Sequence, residues 1–247
     1  MKIRFGLNIR KRIKLFLSIN WIKTIYFNFK MFPFSTVKKI PVFFYGKVKF
    51  QNISGKIIIN APIKKGMIGF GKQYEMNTLS IGIAEIMLKG EIVFNGYAQF
   101  GKDYFIYISK NALLEMGDMS SIGSRGKIIC TTNVQFGNYT RIGSESQVID
   151  TNFHHLINTI SNEVYPICSP IKLGNYNFIS NRVTILSKTI TPDYCTIASN
   201  SVCTKDYSLL NENVLIGGIP AKLLKNNISR DWMGEKESLD YSLKNLI

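Results

Sequence analysis

His154 and His155 stand side by side, and the 247-residue chain has no other histidine. A neutral imidazole takes up a proton near pH 7, so the pair is where general-base chemistry would be sought first. Asp150 and Glu163 are the nearby acids. Either could accept from the second ring nitrogen and set the tautomer of a catalytic histidine. Metal chemistry fits less well. The four cysteines, Cys130, Cys168, Cys195 and Cys203, form no CxxC pair. Two adjacent histidines do not supply the three that a histidine-bound catalytic zinc takes, so no metal is expected. A histidine pair alone reads more readily as a solvated loop feature. Its meaning depends on the scaffold that presents it.

That scaffold is written as a six-residue beat. Leu173, Ile179, Ile185, Thr191, Ile197 and Cys203 are six apart, and four positions on from these come Asn177, Val183, Thr189, Cys195 and Ser201. The beat runs earlier through Phe94, Phe100, Ile106 and Ala112. After a shift it continues at Met116, Ile122 and Ile128, and after another at Phe136, Ile142 and Val148. A period of six matches neither a helix nor a flat strand, and a short fixed period marks a solenoid. Each hexad gives a short strand with its large aliphatic residue inward, and three hexads make one triangular coil. Glycine after the large residue, as at Gly117, Gly137, Gly143 and Gly174, is expected to supply a corner conformation with positive φ. The largest interruption, 153–171, is expected to be an external loop, and the histidines stand at its edge. Residues 40–72 read as short strands around Val42–Tyr45, Val48–Phe50 and Ile57–Ile59. Glu235 to Leu246 reads as a short polar helix capping the stack.

Charge divides the chain unevenly. Of the net +15, all belongs to residues 1–74, which hold 16 Lys and Arg and no acid, whereas the rest is nearly neutral. Ile13, Leu17, Trp21 and Ile25 fall four apart within a segment rich in Lys and Arg, compatible with one helical face that Pro33 ends. Aromatic and aliphatic residues interleaved with cations suit peripheral contact with an anionic membrane surface. Attraction of an anionic substrate and a plain solvated face are the other readings. No nucleic-acid-binding module is present, so no nucleic-acid partner is expected. Lys14 and Lys23 break the apolar stretch, which excludes a spanning helix, and with no small-residue cleavage site a secretory signal is not expected. Unpaired cysteines at repeat positions suit a reducing compartment. The expected location is cytoplasmic, with the inner face of the cytoplasmic membrane as an alternative.

Four strings carry a more specific likeness: FGNYTRIGSESQVIDTNFHH at 136–155, LGNYNFISNRVTIL at 173–186, TIASNSVCTKDY at 196–207 and GGIPAKLLK at 217–225. With them the chain resembles the hexapeptide-repeat acyltransferases, nearest to those that O-acetylate sugars or surface polysaccharides. The resemblance spans roughly 90–225 well and 40–90 weakly. It implies an all-β solenoid, a left-handed parallel β-helix over 40–219, between a basic helical segment at 1–39 and a helical cap at 220–247. It implies acetyl transfer from acetyl-CoA to a hydroxyl of a sugar or glycan, with His154 as general base oriented by Asp150 or Glu163. Asn152 and His155 would line the acceptor site. Ser180, Asn181, Ala198 and Ser199 would line the coenzyme groove, with Lys205 and Lys222 near its phosphates and a backbone N–H near Ser180 as oxyanion donor. A homotrimer sharing that groove is also implied. The chain departs from the family where Ser180, Pro192 and Ala198 replace glycine and Thr191 replaces an inward aliphatic residue. N-acetylation of an amino sugar and a non-catalytic, membrane-docked solenoid are the alternatives. A γ-type carbonic anhydrase on the same coil is excluded for want of a third histidine.

Overall fold

The computed structural model of the chain describes residues 9–72 and 82–244. Three helices come first: α1 (Ile9–Ser18), α2 (Trp21–Met31) and α3 (Phe34–Val37). The strands then wind three to a coil. The first coil is β1 (Val42–Phe44), β2 (Val48–Ile53) and β3 (Lys56–Ile59), and the second is β4 (Ile68–Phe70), β5 (Ala84–Leu88) and β6 (Glu91–Phe94). The third is β7 (Ala98–Phe100), β8 (Phe105–Ile108) and β9 (Leu113–Met116). The fourth is β10 (Ser120–Ile122), β11 (Lys127–Cys130) and β12 (Asn133–Phe136). The fifth opens with β13 (Arg141–Ile142) and β14 (Gln147–Ile149), projects a hairpin of β15 (Leu156–Ile157) and β16 (Val164–Tyr165), and closes with β17 (Ile171–Leu173). The last coils are β18 (Phe178–Ile179) with β19 (Thr184–Leu186), then β20 (Thr196–Ile197) with β21 (Val202–Cys203). Single bridges at Ile190 and Asp206 stand in for their third strands. β22 (Val214–Gly217) ends the stack, β23 (Lys222–Asn226) folds back antiparallel on it, and α4 (Trp232–Lys244) follows.

Stacking gives three parallel sheets, and the hexads dictate their register. In the first sheet Phe44, Phe70, Phe100, Ile122, Ile142, Ile179, Ile197 and Ile216 form one unbroken inward column. In the second, Ile86, Ile106, Ile128, Val148, Ile185 and Cys203 do the same. Every large hexad residue from Phe94 to Cys203 named above is buried, as are the residues four positions on from Leu173 through Ile197. Burying an Ile or Phe side chain stabilises by about 1.5–3 kcal/mol, and the columns repeat that gain at each level. Near the N-terminus the column is aromatic: Phe44, Phe70 and Phe100 stack with centroids 5.0 and 4.4 Å apart. The architecture is the solenoid expected from the hexads, with the left-handed parallel β-helix that the family resemblance implies and a helical segment at each end. Its hand is an exception to the right-handed crossover rule.

The glycines serve a different purpose from the one expected. Gly117, Gly137, Gly143 and Gly174 do not have positive φ. They are small because the next coil passes directly overhead. A Cβ on Gly117 would lie 2.4 Å from the carbonyl carbon of Gly137, and one on Gly137 would lie 2.6 Å from that of Gly174. At the corner of Gly137 and Gly174 the left-handed turn falls instead to Tyr139 and Tyr176, and one coil on to Tyr194, with φ of +56°, +53° and +55°. Such a conformation costs an ordinary residue about 1–2 kcal/mol. Here the three rings stack on successive coils, with centroids 5.0 and 4.9 Å apart, and Trp232 of α4 packs edge-on against the stack. Tyr139 also donates to Asp240, fixing α4 against the corner. Thr191 is tolerated inward because its hydroxyl donates to Asn177 Oδ1 at 2.6 Å and accepts from Gly174 N–H.

The N-terminal segment is two helices rather than one continuous face. Asn20 accepts from Lys23 N–H and caps α2, while Ile19 is buried against the first coil through a bridge to Tyr45. The break leaves Ile13 and Leu17 on α1 and Trp21 and Ile25 on α2. The C-terminal helix begins at Trp232, earlier than expected, and Leu246 lies outside the described residues.

Buried thiols lead to a chemical prediction. Burial pushes the Cys195 thiol up to about 12, helped by neighbouring Cys203, and burial pushes Cys203 up to about 12 as well. Cys130 is raised further by burial and by Asp150. A raised pKa keeps a thiol neutral through pH 8, and the thiolate is the nucleophile. An aromatic disulfide reagent should therefore titrate only half-buried Cys168 in the native protein, and all four thiols after unfolding. Rapid native reaction of Cys130, Cys195 or Cys203 would contradict this packing.

Candidate active site

The coil leaves its path at the corner between the second and third sheets, just after β14. Asp150 is the last residue before the excursion and is fully buried. Its Oδ1 accepts from Thr131 N–H at 2.7 Å and Thr131 Oγ1 at 2.8 Å, while Oδ2 accepts from Thr132 N–H at 2.7 Å and Thr132 Oγ1 at 2.9 Å. A carboxylate has about four acceptor sites, so this one is filled. Asp150 thus clamps the hairpin's root to the coil below it. The sequence offers no sign of this, because the partners are 19 and 18 residues away.

Beyond the root, Thr151 bridges Cys168, and Asn152 N–H donates to Ile167 O at 2.8 Å. The hairpin proper begins where Leu156 pairs with Tyr165 and Ile157 with Val164. Four residues, 152–155, therefore oppose only two, 166–167. His154 and His155 sit on this bulge, both exposed, and Phe153 opens it in a left-handed conformation at φ +60°. Phe153 N–H donates to Thr151 Oγ1 at 3.0 Å, which supports the turn. Bulges of this kind re-aim side chains and concentrate near active sites. Glu163 lies at the far end, where its carbonyl accepts from Asn158 N–H. No hydrogen bond joins it to His154 among the described residues. Within one chain, neither Asp150 nor Glu163 is placed as the orienting partner of His154.

The coenzyme candidates fall on two edges. Ser180, Asn181, Ala198 and Ser199 stack at the corner between the first and second sheets, and Lys222 joins them by pairing with Gly217 at the top. Lys205 stands instead on the hairpin's corner, higher in the stack, with its ammonium 5.5 Å from the centroid of the Tyr207 ring. Ser180 N–H donates to Ile197 O at 3.0 Å, so the coil ladder has already taken it and it is not a spare oxyanion donor. Asn181 Oδ1 accepts from Ser144 N–H, tying this corner to the one below. Beside it Arg182 and Arg125 both pair with Glu145, whose carboxyl is held below its usual range chiefly by the Arg182 hydrogen bond. The two edges are separated by the width of the second sheet, about 10–15 Å.

Fold and edge geometry define a class: a left-handed parallel β-helix with a histidine-bearing hairpin at one corner. No family model and no curated protein matches the chain. Among solved structures it is similar to the polySia-specific acetyltransferase NeuO, at 19% identity and a TM-score of 0.51, over 74% of this chain and 72% of that one. The polysialic acid O-acetyltransferase OatWY aligns at 18% identity and a TM-score of 0.49, over 75% and 91%. AntD, an N-acyltransferase from Bacillus cereus, aligns at 12% identity and a TM-score of 0.41, over 87% and 98%. The likeness is one of fold, and it agrees with the resemblance carried by the hexads.

Proposed function

We propose that the protein is an O-acetyltransferase that moves an acetyl group from acetyl-CoA to a hydroxyl of a sugar or surface polysaccharide precursor. The observation that carries this reading is the bulge that presents the chain's two histidines at the solenoid's edge. In the proposed reaction His154 takes the acceptor hydroxyl's proton as its oxygen attacks the thioester carbonyl. The tetrahedral intermediate then expels the coenzyme thiolate, which recovers the proton from the imidazolium. His155 and Asn152, exposed on the same bulge, contact the acceptor. Ser180, Asn181, Ala198, Ser199 and Lys222 hold the coenzyme along the other edge, with Lys205 reaching its phosphates from the hairpin's side. Asp150 acts as a positioning residue through the hairpin's root.

A homotrimer belongs to the same reading, because a neighbour's donor edge can meet the hairpin that its own edge does not reach. Glu163 would then serve at the hairpin tip, against the neighbour. The location that goes with this reading is cytoplasmic, where acetyl-CoA is available. The test is acceptor-dependent release of coenzyme thiol from acetyl-CoA over a panel of sugars and glycans, with the product acetyl group released by mild alkali as an ester is. An alkali-stable product would move the assignment to N-acetylation of an amino sugar. No thiol release across the panel would favour a non-catalytic solenoid, and a monomeric mass in solution would remove the shared groove.

A further inference from the structure

Helix α2 has two stripes, and the outer one is apolar as well. Thr24, Phe27 and Asn28 face the coil and are buried, with Met31 packed beside them. Ile22, Ile25, Tyr26 and Phe29 follow the same i, i+3, i+4, i+7 spacing on the opposite side. A surface helix ordinarily turns such an apolar stripe inward. Here the inward face carries Thr24 and Asn28 beside Phe27 and Met31, because β1 is the open edge of the first sheet. Thr24 Oγ1 accepts from Phe44 N–H, and the Asn28 amide donates to Val42 O and accepts from Val42 N–H. Those bonds satisfy an edge that would otherwise invite another strand.

The outer stripe stays in solvent. Ile22 is 81% exposed and Phe29 59%. Helix α1 adds Ile13, Phe16 and Leu17, and α3 adds Phe34, all exposed. Lys14, Lys30, Lys38 and Lys39 are exposed among them, and no acid occurs before Glu75. Lys23, Tyr26, Lys30 and Phe50 line a groove of about 650 Å³ beside the stripe. Apolar side chains rimmed by cations alone suit an interface that is apolar inside and anionic at its surface. A second copy of the same face would bring like charges together. Among the described residues no helix is long and apolar enough to cross a membrane.

We infer that the outer face of α1–α3 docks on an anionic lipid bilayer, with the α2 stripe at the headgroup–acyl boundary and the lysines on lipid phosphates. This stands independently of the acyl-transfer reading. The test is flotation of the full-length protein with vesicles of phosphatidylcholine alone, and of phosphatidylcholine mixed with phosphatidylglycerol. Binding should require phosphatidylglycerol and weaken with salt. Ile22→Glu combined with Phe29→Glu should lower partitioning by at least ~10-fold with an unchanged Tm, and Lys23→Glu combined with Lys30→Glu should do so too. Stripe-independent binding by a folded double variant, or equal flotation with both vesicle types, would overturn the proposal. So would absence of flotation, whether or not the stripe supports self-association instead.

Discussion

Replacing His154 with Ala should lower the rate of acetyl transfer by about 10²–10⁴-fold and leave the Tm of the protein unchanged. The rate falls because the acceptor hydroxyl loses the group that takes its proton during attack. The Tm holds because His154 is exposed on a projecting bulge and buries nothing in the core. His155→Ala is the internal control. As an acceptor contact it should act mainly on KM, whereas His154→Ala should act on kcat. Equal turnover in wild type and His154→Ala would remove the base from His154. A fall for His155→Ala alone would transfer the role to its neighbour.

Asp150→Ala should have the largest effect on stability of any single change at the site, about 2–4 kcal/mol, which for a chain of this size lowers the Tm by roughly 10 °C. The substitution strands two backbone N–H groups and two hydroxyls that all converge on the buried carboxylate. Asp150→Asn should rescue little, since its amide nitrogen would face donors with another donor. Thr131→Val and Thr132→Val each remove one donor to a charge, at a cost of about 1.5–3 kcal/mol apiece. Thermal denaturation of the four variants measures this. A catalytic role through direct contact with His154 would produce the opposite pattern: lost turnover at an unchanged Tm.

These two residues show how differently the parts of the site can be read. His154 is legible because it is one of only two histidines and stands beside the longest break in the beat. The hairpin's bulge is not, since it depends on how 152–155 pair with 166–167. Asp150 is legible as an acid near a histidine, but its partners come from the coil below. The same limit applies to Ser180, whose N–H is spent on Ile197 O in the next coil. Lys205 reads in sequence like one more residue of the coenzyme groove, yet the corner between Cys203 and Asp206 turns it toward the hairpin's edge.

The solenoid follows from the order of residues alone, because a period of six places one large side chain inward per strand whatever the loops do. The imbalance of charge and the pairing of the histidines are likewise properties of the chain before it folds. What each short-range signal is for was settled by packing. The corner glycines answer to the backbone of the neighbouring coil rather than to their own φ. The α2 stripes are assigned by the open hydrogen bonds of β1, which draw Thr24 and Asn28 inward beside Phe27 and leave Ile22, Ile25 and Phe29 facing out. Asp150 is assigned by two threonines in the preceding coil. In each case the deciding partner lies on an adjacent level of the stack, and only the stacking of coils brings it within hydrogen-bond or van der Waals range.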